Sequence, residues 1–237
     1  MDLSNQAMLY DASALSTKHI LVVGAGTVGS HVVMQLVKAG VRPERIRVYD
    51  NDVVEMKNLP AQVYSVRDVG LKKVYALNRI VRELTGYNLW YLDERRTINN
   101  HSDSGFAYIV SAADNMETRK GLFHSCKNHL NNYDSPGYRL NNYDPPSFFD
   151  ARISGSSFEC YAVTGKREAE LYETTLFSDD EAPEPRCGYK SLHTTGYMTG
   201  AILTSMIIAS MNGTCKSWRV DGDMLTMQFQ EYGLEEV

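Results

Sequence analysis

The residues best able to do chemistry gather in the first half of the chain. Gly24-Ala-Gly26-Thr-Val-Gly29 follows a short apolar run and opens a helical pattern. Glycines there allow a tight turn and close approach of backbone to a phosphate, and a helix N-terminus adds positive potential. Asp50 ends the next apolar run, where a carboxylate accepts hydrogen bonds from ribose hydroxyls. This fingerprint alone does not separate NAD from ATP, and a turn kept for packing is the plain alternative. Further residues narrow it. Asn58 follows in Asp50-Asn-Asp52-Val-Val-Glu-Met-Lys-Asn58, and Lys73 comes shortly after Val69-Gly70. A dehydrogenase has no evident need for them, whereas an enzyme attacking ATP at the α-phosphate must neutralise a triphosphate. Asp114-Asn115 sits just past another apolar run, where a carboxylate at a sheet's C-terminal edge can hold Mg²⁺. The bland readings are a solvated lysine beside Lys72 and a helix cap at Asp114-Asn115.

The elements that must position these residues alternate in type. His19 to Val23, Arg45 to Tyr49, Asn88 to Leu92 and Phe106 to Val110 read as strands. Val28 to Lys38, Leu71 to Leu84 and Glu117 to Leu130 read as helices between and after them. Alternation at this spacing means right-handed crossovers and a parallel, doubly wound sheet. Phe148 to Ile153, Phe158 to Val163, Ser217 to Val220 and Met224 to Phe229 read as strands of an extension, with an apolar helix from about Thr194 to Met211. The predicted class is α/β, Rossmann-like, parallel in the N-terminal half with an antiparallel C-terminal extension. No long linker divides the chain, so one domain over 1–237 is expected, with a nucleotide-binding half over about 17–130 and a second half over 131–237.

Composition limits what this fold could do. The chain has 237 residues, 22% charged and 43% hydrophobic, which suits a packed core. Lys plus Arg total 24 against 29 Asp plus Glu, a formal charge of −5 that disfavours a nucleic-acid partner. No signal sequence or bilayer-length apolar run is present, so a cytoplasmic protein without membrane contact is expected. The four cysteines form no CxxC pair, and His124 and His129 beside Cys126 are poorly spaced for a metal. Leu130-Asn-Asn-Tyr-Asp134 recurs at Leu140 to Asp144, and its turn-forming residues read as a local duplication in a loop.

These motifs, in this order, resemble the ThiF/MoeB/HesA family of ubiquitin-activating-enzyme-like adenylyltransferases. The glycine turn, D-x-D-x-V-x-x-x-N-L, the G-x-x-K helix start and D-N-x-x-x-R carry the likeness over His19 to Leu130, and Pro185-Arg-Cys187-Gly resumes it. Asp150-Ala-Arg-Ile-Ser-Gly155 resembles a bacterial and phage branch. The resemblance implies that Gly24, Gly26 and Gly29 shape the phosphate turn and that Asp50, with Asp52, serves the nucleotide. It implies that Asn58 and Lys73 contact phosphates, and that Asp114, beside Asn115, binds Mg²⁺. The implied reaction is attack of a C-terminal carboxylate on the ATP α-phosphorus, with a small ubiquitin-like or sulfur-carrier protein as partner and a homodimer as the assembly.

The chain departs from that pattern at several points. Ala61 stands where N-L-x-R-Q has arginine, the N-terminal arginine segment is absent, and so are the zinc-binding CxxC pairs, so no zinc is expected. Arg67 and Arg119 are the nearby cations that could compensate. Cys187, between the acidic stretch Ser178 to Pro185 and a long helix, matches a cysteine that in some relatives bonds the carrier; a buried inert thiol is its alternative. A non-catalytic nucleotide- or partner-binding member of the fold and an NAD-dependent oxidoreductase stay open as alternatives.

Overall fold

Eight strands form one sheet in the computed structural model, which describes residues 2–6, 8–96, 105–132, 146–178, 180 and 191–234. The strands are β1 (Ile20–Val23), β2 (Ile46–Tyr49), β3 (Trp90–Leu92), β4 (Tyr108–Ser111), β5 (Ser147–Ser154), β6 (Ser157–Val163), β7 (Ser217–Asp223) and β8 (Gln228–Gly233). Their order is β3-β2-β1-β4-β5-β6-β7-β8. The first five are parallel, with Ile20 of β1 level with Ile46 of β2 and Tyr108 of β4. The last three pair antiparallel across successive hairpin or helix connections.

Helices cover both faces, which is why β1 is apolar throughout instead of alternating. Ile20 and Val22 pack with Val32, Val33 and Leu36 of α2 (Gly29–Lys38), Val74 and Leu77 of α3 (Lys73–Thr85), and Leu203 and Ile207 of α6 (His193–Met211). Leu21 and Val23 point the other way, onto Leu122 and Phe123 of α4 (Met116–Asn132) and Tyr172 of α5 (Lys166–Glu173). Strand order reverses between β1 and β4, and the crevice outside their carboxyl ends is where such sheets receive ligands.

The α/β class and the switch from parallel to antiparallel are as the sequence predicts. The final strand is not where alternation placed it: residues 224–227 are its turn. The Asp223 carboxylate accepts from the Leu225 and Thr226 amides, both at 2.9 Å, and Met227 takes φ 55°, so strand geometry resumes only at Gln228. Two short helices escape the sequence reading: α5, and α1 (Ala12–Thr17), which is capped by the Asp11 carboxylate at the Ser13 and Ala14 amides. No helix among the described residues is long and apolar enough to cross a membrane. Cys187, Arg186 and the second Leu-Asn-Asn-Tyr-Asp copy lie outside the described residues.

Candidate active site

The glycine turn joins β1 to α2, and its three glycines serve different ends. Gly24 holds φ 99°, and its amide donates to the Tyr49 carbonyl at 2.8 Å. A Cβ there would stand 2.4 Å from the Ala112 carbonyl oxygen, and one on Gly29 would stand 1.8 Å from that of Gly24. Both positions are closed by backbone. A Cβ on Gly26 would meet nothing nearer than Gln62 Nε2 at 4.0 Å. Gly26 borders the open crevice, so its missing side chain leaves room there for a ligand.

Asp50 fastens this turn. Its Oδ2 accepts from the Ala25 amide at 2.7 Å and its Oδ1 from the Asp52 amide at 2.8 Å. Each oxygen keeps a lone pair for a hydroxyl donor. Burial holds the Asp50 carboxyl above the usual range, and nearby Lys73 pulls it back. Tyr64 adds a brace the sequence reading missed, its hydroxyl donating to the Ala25 carbonyl at 2.7 Å.

Lys72 and Lys73 are adjacent yet unlike. Lys72 is half-buried, donates to the Asn51 carbonyl at 2.8 Å and pairs with Asp93. Lys73 opens α3 with its side chain 8% exposed, and Nζ donates to Asp52 Oδ2 at 2.6 Å. A solvated surface lysine is therefore the wrong picture for Lys73.

Asn58 closes a short 3-10 turn, where its Oδ1 accepts from the Glu55 amide at 2.8 Å. That leaves the amide nitrogen as its contribution to the cleft wall it lines. Asn115 caps α4 by accepting from the Thr118 amide at 2.8 Å, and its Nδ2 donates to Asp114 Oδ1 at 3.0 Å. The capping role belongs to Asn115, while Asp114 is exposed and oriented by it. A lone carboxylate suits Mg²⁺, which keeps its waters and takes further oxygens from substrate phosphates. Gln62 is also on the wall, 8% exposed, with a buried Oε1 that has no hydrogen-bond partner among the described residues.

Two connected hollows result. One, of about 330 Å³, lies over the ends of β1, β2 and β3 beside Asp50, Tyr49 and Arg96. The other, of about 650 Å³, runs past Asn58 and Gln62 to Arg152, Ser154 and Phe177. Gly26, Asp52, Lys73, Asp114 and Asn115 border both. Of the two cations proposed to compensate for Ala61, Arg67 is exposed and off these walls. Arg119 is buried and bonded to the Asp150 carboxylate and the Ala151 carbonyl. Asp150, wholly buried, also accepts from Arg152 Nε at 3.0 Å and the Tyr172 hydroxyl at 2.9 Å.

Residues 4–235 match the ThiF family. The chain belongs to that family. A tRNA threonylcarbamoyladenosine dehydratase 2 of Saccharomyces cerevisiae is 38% identical over 125 residues, spanning 48% of this chain and 27% of the yeast protein. A probable molybdopterin-synthase adenylyltransferase of Porphyra purpurea is 30% identical, covering 51% of this chain and 32% of its own. The ThiF chain thus spans about a third or less of these relatives. Among solved structures, Escherichia coli MccB with ATP superposes with TM-score 0.65 at 15% identity, covering 94% of this chain and 65% of that one. Escherichia coli TcdA with ATP superposes with TM-score 0.64 at 20% identity, covering 89% and 93%. At those identities the superpositions establish the fold.

Proposed function

We propose that this ThiF chain binds MgATP along the two hollows and transfers AMP to the C-terminal carboxylate of a small ubiquitin-like or sulfur-carrier protein. The observation that carries the reading is convergence: open Gly26, buried Lys73, exposed Asp114 and the Asn58 amide meet on one wall at the switch point. Asp50 receives the ribose, and the Asn58 amide and Lys73 ammonium face phosphate oxygens. Mg²⁺ held by Asp114 would neutralise charge on the triphosphate. A carboxylate oxygen of the carrier bonds the α-phosphorus, the α-β bridging bond breaks, and pyrophosphate leaves with that electron pair. Carboxylates are weak nucleophiles, so positioning and charge neutralisation supply the rate. That relatives are named adenylyltransferases, and that MccB and TcdA are solved with ATP, supports the same reading. The homodimer and a carrier-linked Cys187 belong to this proposal.

One observation favours a second reading, a nucleotide-binding member without catalysis. Position 61 is alanine and Arg119 is committed to Asp150, so the triphosphate wall has fewer cations than the motif provides for. ATP–pyrophosphate exchange, measured with and without a carrier, separates the two. Carrier-dependent exchange supports adenylation, while MgATP binding without exchange supports the second reading.

A further inference from the structure

Ala61 leaves the phosphate wall without an arginine, and a cation stands about one turn before it. The 3-10 turn at Met56–Asn58 runs on: the Leu59 amide donates to the Met56 carbonyl at 3.3 Å, and the Ala61 and Gln62 amides donate to the Asn58 carbonyl at 3.2 and 3.1 Å. Residues four apart on a helical turn are neighbours on one side of it, so Lys57 emerges beside the place an arginine at 61 would occupy. Like Asn58, Lys57 borders the larger hollow and not the smaller one. Among the described residues, four cations border that hollow. Lys73 is nearly buried against Asp52, Arg119 is tied to Asp150, and Arg152 is tied to Asp150 and Thr175. Lys57 alone among the four pairs on the open surface. Its ammonium meets the Glu55 carboxylate, and both side chains are more than half exposed. Exposed pairs of this kind contribute little, so a multiply charged ligand displaces them readily.

We propose that Lys57 takes the place of the missing arginine: its ammonium leaves Glu55 and pairs with the outer phosphates of bound MgATP. The inference rests on the MgATP site proposed above, not on the transfer of AMP. With the ribose on Asp50 at the smaller hollow, the phosphate chain runs past Lys73 and Asp114, which border both hollows. Its outer end therefore lies in the larger hollow, and only that end meets Lys57. Glu55 stays charged in water when the lysine leaves, at small cost for an exposed carboxylate. A lysine is a point charge without the planar fork of arginine, so it neutralises the outer phosphates without fixing their orientation.

The test is calorimetry of the full chain with MgATP and, separately, with AMP, taking the melting temperature as the folding control. Lys57→Ala should weaken MgATP roughly tenfold, the effect of one charge-assisted hydrogen bond, and leave AMP within about twofold. Glu55→Gln, which removes the competing carboxylate, should tighten MgATP about twofold. Lys57→Ala combined with Ala61→Arg should recover most of the lost affinity, which a merely structural lysine would not allow. Unchanged MgATP affinity in Lys57→Ala, an equal loss for AMP, weaker MgATP binding in Glu55→Gln, or no recovery in a double variant that melts like the parent overturns the assignment. No carrier enters this measurement. The expected pattern in a parent chain that shows no pyrophosphate exchange would therefore defeat adenylation and leave the role of Lys57 standing.

Discussion

Lys73 Nζ lies 2.6 Å from Asp52 Oδ2, joining a nearly buried ammonium to a carboxylate whose side chain remains 56% exposed. The same lysine lowers the cost of ionising half-buried Asp50. A cation held between two carboxylates is preoriented toward the crevice, yet still available to an incoming phosphate. Lys73→Ala should reduce carrier-dependent pyrophosphate exchange by roughly a hundredfold or more, with Asp114→Ala comparable. Folded variants with near-normal exchange would remove both from the machinery.

The glycines of the turn should separate cleanly under substitution. Gly29→Ala drives a Cβ into the Gly24 carbonyl and should lower the melting temperature sharply. Gly26→Ala meets nothing nearer than Gln62 Nε2 at 4.0 Å and should melt close to the parent, while losing ATP affinity measured by calorimetry. Equal loss of stability in the two variants would contradict this division.

Fully buried Asp150 holds the buried Arg119 guanidinium, the half-buried Arg152 guanidinium and the Tyr172 hydroxyl. Asp150→Asn leaves buried Arg119 without its counter-charge, while half-buried Arg152 keeps Glu159 at 3.9 Å, so the loss of the Arg119 pair should cost about 3 kcal/mol in urea unfolding. Tyr172→Phe removes one hydrogen bond and should cost about 1 kcal/mol.

His31 gives the fold a pH dependence. Its Nε2 donates to the Ala61 carbonyl at 3.1 Å, its ring lies 4.0 Å from that of Tyr197, and burial holds its pKa below the ordinary value. The unfolded chain therefore takes up this proton first, so the His31 contribution to stability declines as pH falls below about 6.5. His31→Gln should flatten that slope in chemical unfolding measured from pH 7.5 to 5.5. The raised Asp50 carboxyl acts in the opposite direction at lower pH, so comparison with the variant isolates the histidine.

What the sequence determined by itself was local in origin. The parallel strands were legible because both faces of Ile20–Val23 are buried, which writes an unbroken apolar run. The site was legible because glycine, aspartate and lysine at fixed offsets from strand ends arrive at the crevice by connectivity alone. Tertiary structure decided the partners. Lys72 and Lys73 are indistinguishable in sequence, and only the start of α3 against Asp52 buries one and leaves the other half-exposed. Asp114 and Asn115 are both able to cap a helix, and the backbone gives the cap to Asn115. Arg119 reads as a spare cation until β5 places Asp150, 31 residues later, against it.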